Sequence, residues 1–471
     1  MQVRTRWAAP WALALVTLLA GCDGEASGDA GATSDAGLVD GSVTEWDGGR
    51  LDAGGRDASA VDSGAVDSGA VDAGAVDGGA SDSGGIDAGA GDSGAVDAGV
   101  DAGPMFAYPC DLVVPDDHAT IPDAVAAAPS PGVVCVRAGT HDAAFSLRPH
   151  VAVVGEGPAT IVRGEISVRD LDDPDPTATR LADFTLEGTR NEGIHTCPLG
   201  GGSCAGRQIN IASDWSLHLS RLDIRMPGGS SYCLHTSLAW RGGSLTMEDS
   251  RCVSGRGIRF LGGVRQTAPA STYAVTVERN RFEPRGGSAL TEPIELLIGS
   301  GGFCGTTPAA RGTRVTALVR NNELFSVAGA AVYLIQCLDL ERDDARNSFY
   351  RFTYNTITGA PSARRAYAFW NNSSDGHDPR WSVVNNLYYG FVGATYDGPT
   401  PDEEAHNLRL DVSPFVDVVA GDLRLRSGVA PVDAADTGYV VAVDVSGDPR
   451  PIDGDGDGVA VHDIGAREHA P

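Results

Sequence analysis

The chain contains no lysine; all 35 of its basic residues are arginine. A lysine amine is therefore not available as a catalytic base. Basic residues are also few against 63 acidic ones, and the net charge of −28 leaves no basic footprint for nucleic acid or for an anionic lipid surface. After the first twenty residues no apolar run approaches membrane length, so nothing later in the chain should span a bilayer. No Cys-x-x-Cys pair occurs, which argues against a zinc site.

What is present divides the chain in three. Arg4 and Arg6 precede an apolar run over 11–20 that is too short for a stable membrane helix. It ends in Leu19-Ala20-Gly21-Cys22, which resembles the lipobox of bacterial lipoproteins. The resemblance implies that 1–21 is a signal peptide and that Cys22 carries lipid, with a plain secretory signal as the alternative. Residues 22–104 then read as a tether. Aspartate recurs every five residues from Asp52 to Asp97, separated by Ala, Gly, Ser and Val. The stretch 23–104 holds 18 acidic residues against two arginines. Such a segment has too little apolar bulk to offset chain entropy, and like charges keep it extended, so a disordered stalk is expected.

Apart from Cys22, eight cysteines remain: Cys110, Cys135, Cys197, Cys204, Cys233, Cys252, Cys304 and Cys337. An even count in an exported chain suggests disulfides. Pairing of sequence neighbours is the simplest arrangement: 110–135, 197–204, 233–252 and 304–337.

Residues 105–471 carry a repeating register. Ser220, Ser250, Asn280, Asn322, Asn355 and Asn386 are spaced 30, 30, 42, 33 and 31 residues apart. Five before each reference stand Trp215, Leu245, Val275, Ala317, Tyr350 and Trp381. Three before stand Leu217, Met247, Val277, Val319, Phe352 and Val383. Two after stand Leu222, Cys252, Phe282, Leu324, Ile357 and Tyr388. Four before, the residues are mostly polar. This alternation is that of a strand with one buried face. The Ser/Asn position suits a turn, because Asn tolerates left-handed backbone, and stacked copies can form a hydrogen-bonded ladder. Asn321, one step before Asn322, should point outward. Short strands repeating at about 30 residues, without helical segments between them, fit a parallel β-helix. A β-sandwich would not keep one register over so long a stretch.

The N-terminal end supports this. Thr120-Ile121-Pro122-Asp123 predicts a helix start, and Ile121, Val125 and Ala128 then share one face suited to covering the solenoid's open end. The run from Ala119 to Pro129, then Gly132 to His141, resembles the entry of right-handed parallel β-helix proteins of the pectin-lyase-like superfamily. Asp463-Ile464-Gly465-Ala466-Arg467-Glu468 resembles the last turn of bacterial surface β-helix proteins. The resemblance implies an all-β, right-handed parallel β-helix. It implies no single activity, since the superfamily holds lyases, hydrolases, epimerases, esterases and non-enzymatic binders.

Motifs of the catalytic relatives are missing. There is no Gly-His-Gly turn, no Arg-x-Lys and no lysine base. The doublets Asp116-Asp117, Asp172-Asp173 and Asp343-Asp344 read as solvated loop charge. Asp183-Phe184 matches the methylesterase relatives in letters only. Three intervals, 189–214, 283–313 and 337–348, read as loops inserted between coils, where binding faces are often built. Trp240, Trp370 and Tyr367 are the candidate sugar-stacking residues. Asp453, Asp455 and Asp457 alternate with glycine like the first half of a calcium loop, with Asp463 as the remaining acidic ligand because Ile464 stands where Glu is expected.

The sequence thus predicts a lipid-anchored protein of the bacterial cell envelope, at the outer membrane or cell surface. A β-helix of about ten coils, estimated from ~30 residues per coil, would close in an acidic cap near 440–471. The expected function is polysaccharide binding or adhesive scaffolding by a monomer, with polysaccharide or an envelope protein as partner. The alternative is an Arg-dependent, calcium-assisted polysaccharide lyase. Calcium is the one cofactor implied.

Overall fold

A computed structural model describes residues 106, 108–168, 179–190, 192–195, 215–236, 243–262, 272–299, 314–337, 348–361, 363–371, 380–393 and 395–471. The chain divides into Met1–Gly94 and Ala95–Pro471. Cys22, the aspartate array and Trp240 lie outside the described residues, as do Cys197, Cys204 and Cys304. No helix among the described residues is long and apolar enough to cross a membrane.

The domain is a parallel β-helix. Three sheets run its length, with 11, 10 and 9 strands. The chain visits the first, second and third sheet in turn, and each strand pairs in parallel with its counterpart one coil on. The first sheet runs from Leu112–Val114 to Glu403–Ala405, the second from Gly139–Asp142 to Leu408–Leu410, and the third from Phe145–Leu147 to Tyr396–Asp397.

The register accounts for the core. The apolar positions three before and two after each reference are all buried, from Leu217 and Leu222 to Val383 and Tyr388. A helix at Ile121–Ala127 buries Ile121, Ala124 and Val125 against the first coil, and Thr120 accepts a hydrogen bond from the Asp123 amide at 3.3 Å as its N-cap. Cys110–Cys135 ties the entry segment to the first sheet, and Cys233–Cys252 crosses the core between the third and second sheets of adjacent coils.

From Ser250 to Asn386 the reference positions stack into a ladder at the corner between the first and second sheets; Ser220 is two residues out of that register, because it pairs with Glu248 and Leu222 stands at the ladder position of its coil. The Asn322 side-chain oxygen accepts from the Asn280 backbone amide at 2.9 Å and from its side-chain amide at 3.1 Å. Asn322 donates in turn to Asn355, Asn355 to Asn386, and Asn386 to Asn407. The left-handed backbone falls one residue earlier than the asparagines. Asp183, Arg221, Asp249, Arg279, Asn321, Tyr354, Asn385 and His406 all have φ between 49° and 62°. The asparagines themselves serve as buried hydrogen-bond relays.

Three expectations need correction. The intervals 189–214 and 283–313 are not wholly inserted loops: they contain the third-sheet strands Glu192–His195 and Ile294–Gly299. The acidic C-terminal segment is not confined to the end of the solenoid. From Phe415 onward it lies along the flank of the later coils, where Phe415, Leu423, Leu425, Val441 and Ile464 form a second core with Tyr354 and Leu387. Asn321 does point away from the solenoid interior, but it is buried beneath this flank and not exposed: its amide donates to Val443 O at 2.8 Å, and Arg450 donates to its oxygen at 3.1 Å.

The left-handed column records where this cover begins. In the earlier coils it alternates in charge, Asp183, Arg221, Asp249 and Arg279, with Arg221 paired to Asp183 and Arg279 to Asp249. In the later coils it turns uncharged: Asn321, Tyr354 and Asn385 are buried beneath the flank.

Candidate functional site

The outward face of the third sheet brings chemistry-bearing side chains together. Strand alternation puts Ile194, Leu234, Ile258, Ile294, Val332 and Tyr367 in one inward column across successive coils. Their outward neighbours form the column His195, His235, Arg259, Glu295, Tyr333 and Ala368. A second outward column, Leu297, Ile335 and Trp370, runs beside it. Between residues 169 and 379, the long connections leaving this sheet for the first lie outside the described residues.

Glu295 anchors the polar column. It is fully buried although it stands on the outer face, because Tyr232, Arg256 and Arg259 surround it. Tyr232 donates to it at 3.0 Å, the Arg259 Nε at 2.6 Å, and Arg256 donates to the Tyr232 hydroxyl at 2.6 Å. Both guanidinium groups lie over the Tyr232 ring, 5.0 and 5.5 Å from its centroid. Burial and the Glu295 charge push the Tyr232 hydroxyl up to about 12, so at neutral pH it is a proton donor.

Beside this group His235 stacks on Tyr232, ring centres 5.2 Å apart. Its Nδ1 is held by the Glu192 carboxylate. Burial works to raise the Glu192 carboxyl, but the hydrogen bond and charge of His235 outweigh it and hold the carboxyl below the ordinary range. The other ring nitrogen, Nε2, is buried and has no hydrogen-bond partner among the described residues. An imidazole oriented by a carboxylate through one nitrogen, with the second unpartnered, has the hydrogen-bond arrangement of a general acid or base.

The structure separates the three sugar-stacking candidates. Trp370 is 49% exposed at the end of the outward apolar column. Tyr367 is interior, packed against Phe352, Trp381 and Tyr388, and has no face to offer a ligand. Residues three apart on one strand point to opposite sides, so Tyr367 and Trp370 cannot share a surface. The polar cluster itself was missed in the sequence: Glu192 and Glu295 fell inside intervals read as loops, and Tyr232, His235, Arg256 and Arg259 lay on or beside strands that the register at the corner did not reach.

The acidic segment is also rearranged. Asp453 accepts the backbone amides of Gly456 and Gly458 at 2.8 and 2.9 Å, Asp455 that of Asp457, and Asp457 that of Val459. These are turn-forming hydrogen bonds. Asp453 and Asp455 converge with Asp433, one oxygen from each lying within 4.8 Å of the others. Asp457 and Asp463 are not part of that group. Asp463 is buried on the inner side, accepting the amides of Asp433 and His469 at 2.7 and 2.6 Å, and burial together with Glu468 pushes it up to about 7. The calcium ligand set read from the sequence is therefore not assembled as expected.

No family model matches the chain, and no curated protein does. Two solved structures are similar in fold, both A-modules of mannuronan C-5 epimerases from Azotobacter vinelandii. The AlgE6 module is 12% identical, with a TM-score of 0.24 over 62% of this chain and 93% of its own. The AlgE4 module is 16% identical, with a TM-score of 0.21 over 62% and 94%.

Proposed function

We propose that this is an envelope-tethered β-helix that binds an acidic polysaccharide along the outward face of its third sheet. The reading rests on one observation above the rest: an exposed tryptophan ends an apolar column that runs parallel to a column of arginine, histidine and tyrosine. A sugar ring needs an aromatic or aliphatic platform, and a uronate also needs donors for its carboxylate. Trp370 supplies the first, and Arg256 and Arg259 border the second. In this reading Cys22 carries the lipid, and the aspartate-rich stretch holds the binding domain away from the membrane.

A second reading is catalytic, and the open Nε2 of His235 favours it. With the Nδ1 held by Glu192, that nitrogen can take the proton from the carbon next to a uronate carboxylate. The resulting carbanion then either expels the neighbouring glycosidic oxygen, leaving an unsaturated sugar, or takes a proton back.

One experiment tests both. The full chain is passed over immobilised polygalacturonate and, separately, incubated with the polymer in deuterated water. Trp370→Ala should weaken retention by about tenfold, in line with roughly 1–1.5 kcal/mol for an aromatic contact. His235→Gln should leave retention intact but abolish deuterium uptake and any unsaturated product. Retention of Trp370→Ala equal to the parent chain would remove the binding face. Absence of both product and exchange in the parent chain would leave it a scaffold without chemistry.

A further inference from the structure

We propose a second carbohydrate-carboxylate site, in the cleft between the outward face of the first sheet and the C-terminal flank, anchored by Arg351. It lies on a different sheet from the face described above and does not rest on that reading. The cleft has a volume of about 410 Å³, and Leu318, Arg320, Arg351, Tyr354, Tyr439 and Val441 are among its walls. That is the size range of small-ligand pockets, which run from ~300 to ~1,000 Å³.

Arg351 is set up to receive an anion. On its own sheet its lateral neighbours are Leu318 and Ser382, neither an acid. Its guanidinium lies over the Phe349 ring at 4.8 Å and the Tyr439 ring at 5.2 Å. Its Nε is buried and has no hydrogen-bond partner among the described residues. Of the nearby cations, Arg320 binds Glu278 at 2.6 Å and Arg450 is paired with Glu468, while Arg380 lies over another part of the same platform, 5.9 Å from the Phe349 ring centre. Tyr439 spends its hydroxyl on Glu403. Among the described residues Arg351 has no paired carboxylate and its Nε no acceptor, so the guanidinium keeps donor capacity that a ligand oxygen would satisfy.

The geometry selects the ligand class. Rings on the guanidinium faces confine its hydrogen bonding to the edge, where the terminal nitrogens can form two parallel hydrogen bonds to a planar carboxylate. Leu318 and the exposed Val440 offer apolar contact to the carbon face of a sugar ring. The structure thus points to a single uronate residue or the uronate end of a chain.

The test is calorimetric titration of the full chain with D-galacturonate, with D-galactose as its neutral counterpart and sodium sulfate as a non-planar anion. Galacturonate should bind saturably, galactose and sulfate at least about tenfold more weakly. Arg351→Gln should remove the binding while leaving the unfolding midpoint in place, and Arg351→Lys, which keeps the charge but not the fork, should recover only part of it. Trp370→Ala should bind as the parent does, which separates this site from the third-sheet face. No saturable binding of galacturonate, equal binding of galactose or sulfate, or parental binding by Arg351→Gln would each overturn the proposal.

Discussion

Replacing Arg450 with methionine detaches the C-terminal flank and lowers stability by about 3–5 kcal/mol, the cost of leaving one partner of a buried ion pair alone. Both Arg450 and Glu468 have fully buried side chains. Arg450 also donates to the carbonyls of Asp463 at 2.7 Å and Gly465 at 3.2 Å, and to the Asn321 side chain at 3.1 Å. Its guanidinium sits 4.5 Å from the centre of the Tyr354 ring. It therefore joins the last turns of the chain to two consecutive corners of the solenoid. Methionine keeps the length of the stem and some packing but strands the Glu468 charge. Limited proteolysis should then cut within 415–471 at a protease dose the parent chain resists, and the unfolding midpoint should fall. Parental resistance and an unchanged midpoint would show that the flank is held by its apolar core alone.

Asn322→Leu is expected to cost roughly 3 kcal/mol, toward the upper end of the range for unpaired buried polar groups. Leucine is close in size, so the change removes hydrogen bonds and little volume. Asn322 is fully buried at the centre of the ladder. Its loss leaves the Asn280 backbone amide without its acceptor, takes one of two acceptors from the Asn280 side-chain amide and one of two donors from the Asn355 oxygen, and removes the side-chain donor to the Val277 carbonyl. At about 2 °C per kcal/mol for a chain of this size, the midpoint should drop by roughly 6 °C. Ser250→Ala, near the start of the ladder, removes one hydroxyl bonded to Leu222 N and Glu248 O and should cost about 1 kcal/mol. Equal effects of the two changes would mean the ladder is not cooperative along its length.

The first sheet and the corner were legible because their chemistry repeats. An inward residue three before the asparagine and another two after it cannot both be buried unless one face is closed and a turn intervenes. The short polar residue between them, recurring from Ser250 to Asn407, is the mark of the ladder; in the preceding coil Leu222 stands there instead. The helix was legible for local reasons, Thr120 at the cap and Pro122 in the first turn.

The third sheet was harder to see because its distance from the asparagine varies. Ile294–Gly299 begins 14 residues after Asn280, whereas Tyr367–Asn371 begins 12 after Asn355. A register anchored at one corner blurs by the time it reaches the next side. That shift hid the Glu192–His235 pair and placed Tyr367 on the surface. The alternation within 366–370 would have corrected the second error: Tyr367 and Phe369 face in, so Trp370 must face out. Burial of Asn321 depends on the chain returning more than 120 residues later, which no local pattern reports. The loss of charge from the left-handed column, from Arg279 to Asn321, is the trace that covering left in the sequence.

The most direct test of the third-sheet face is side-chain oxidation footprinting of the full chain, read by mass spectrometry, with and without a saturating uronate oligosaccharide. Trp370 is half exposed and open to oxidant, whereas Trp381 is buried in the core and serves as an internal reference. The account predicts that the oligosaccharide protects Trp370 while Trp381 stays unmodified in both samples. Trp370 oxidised equally in the free and saturated chain would contradict it.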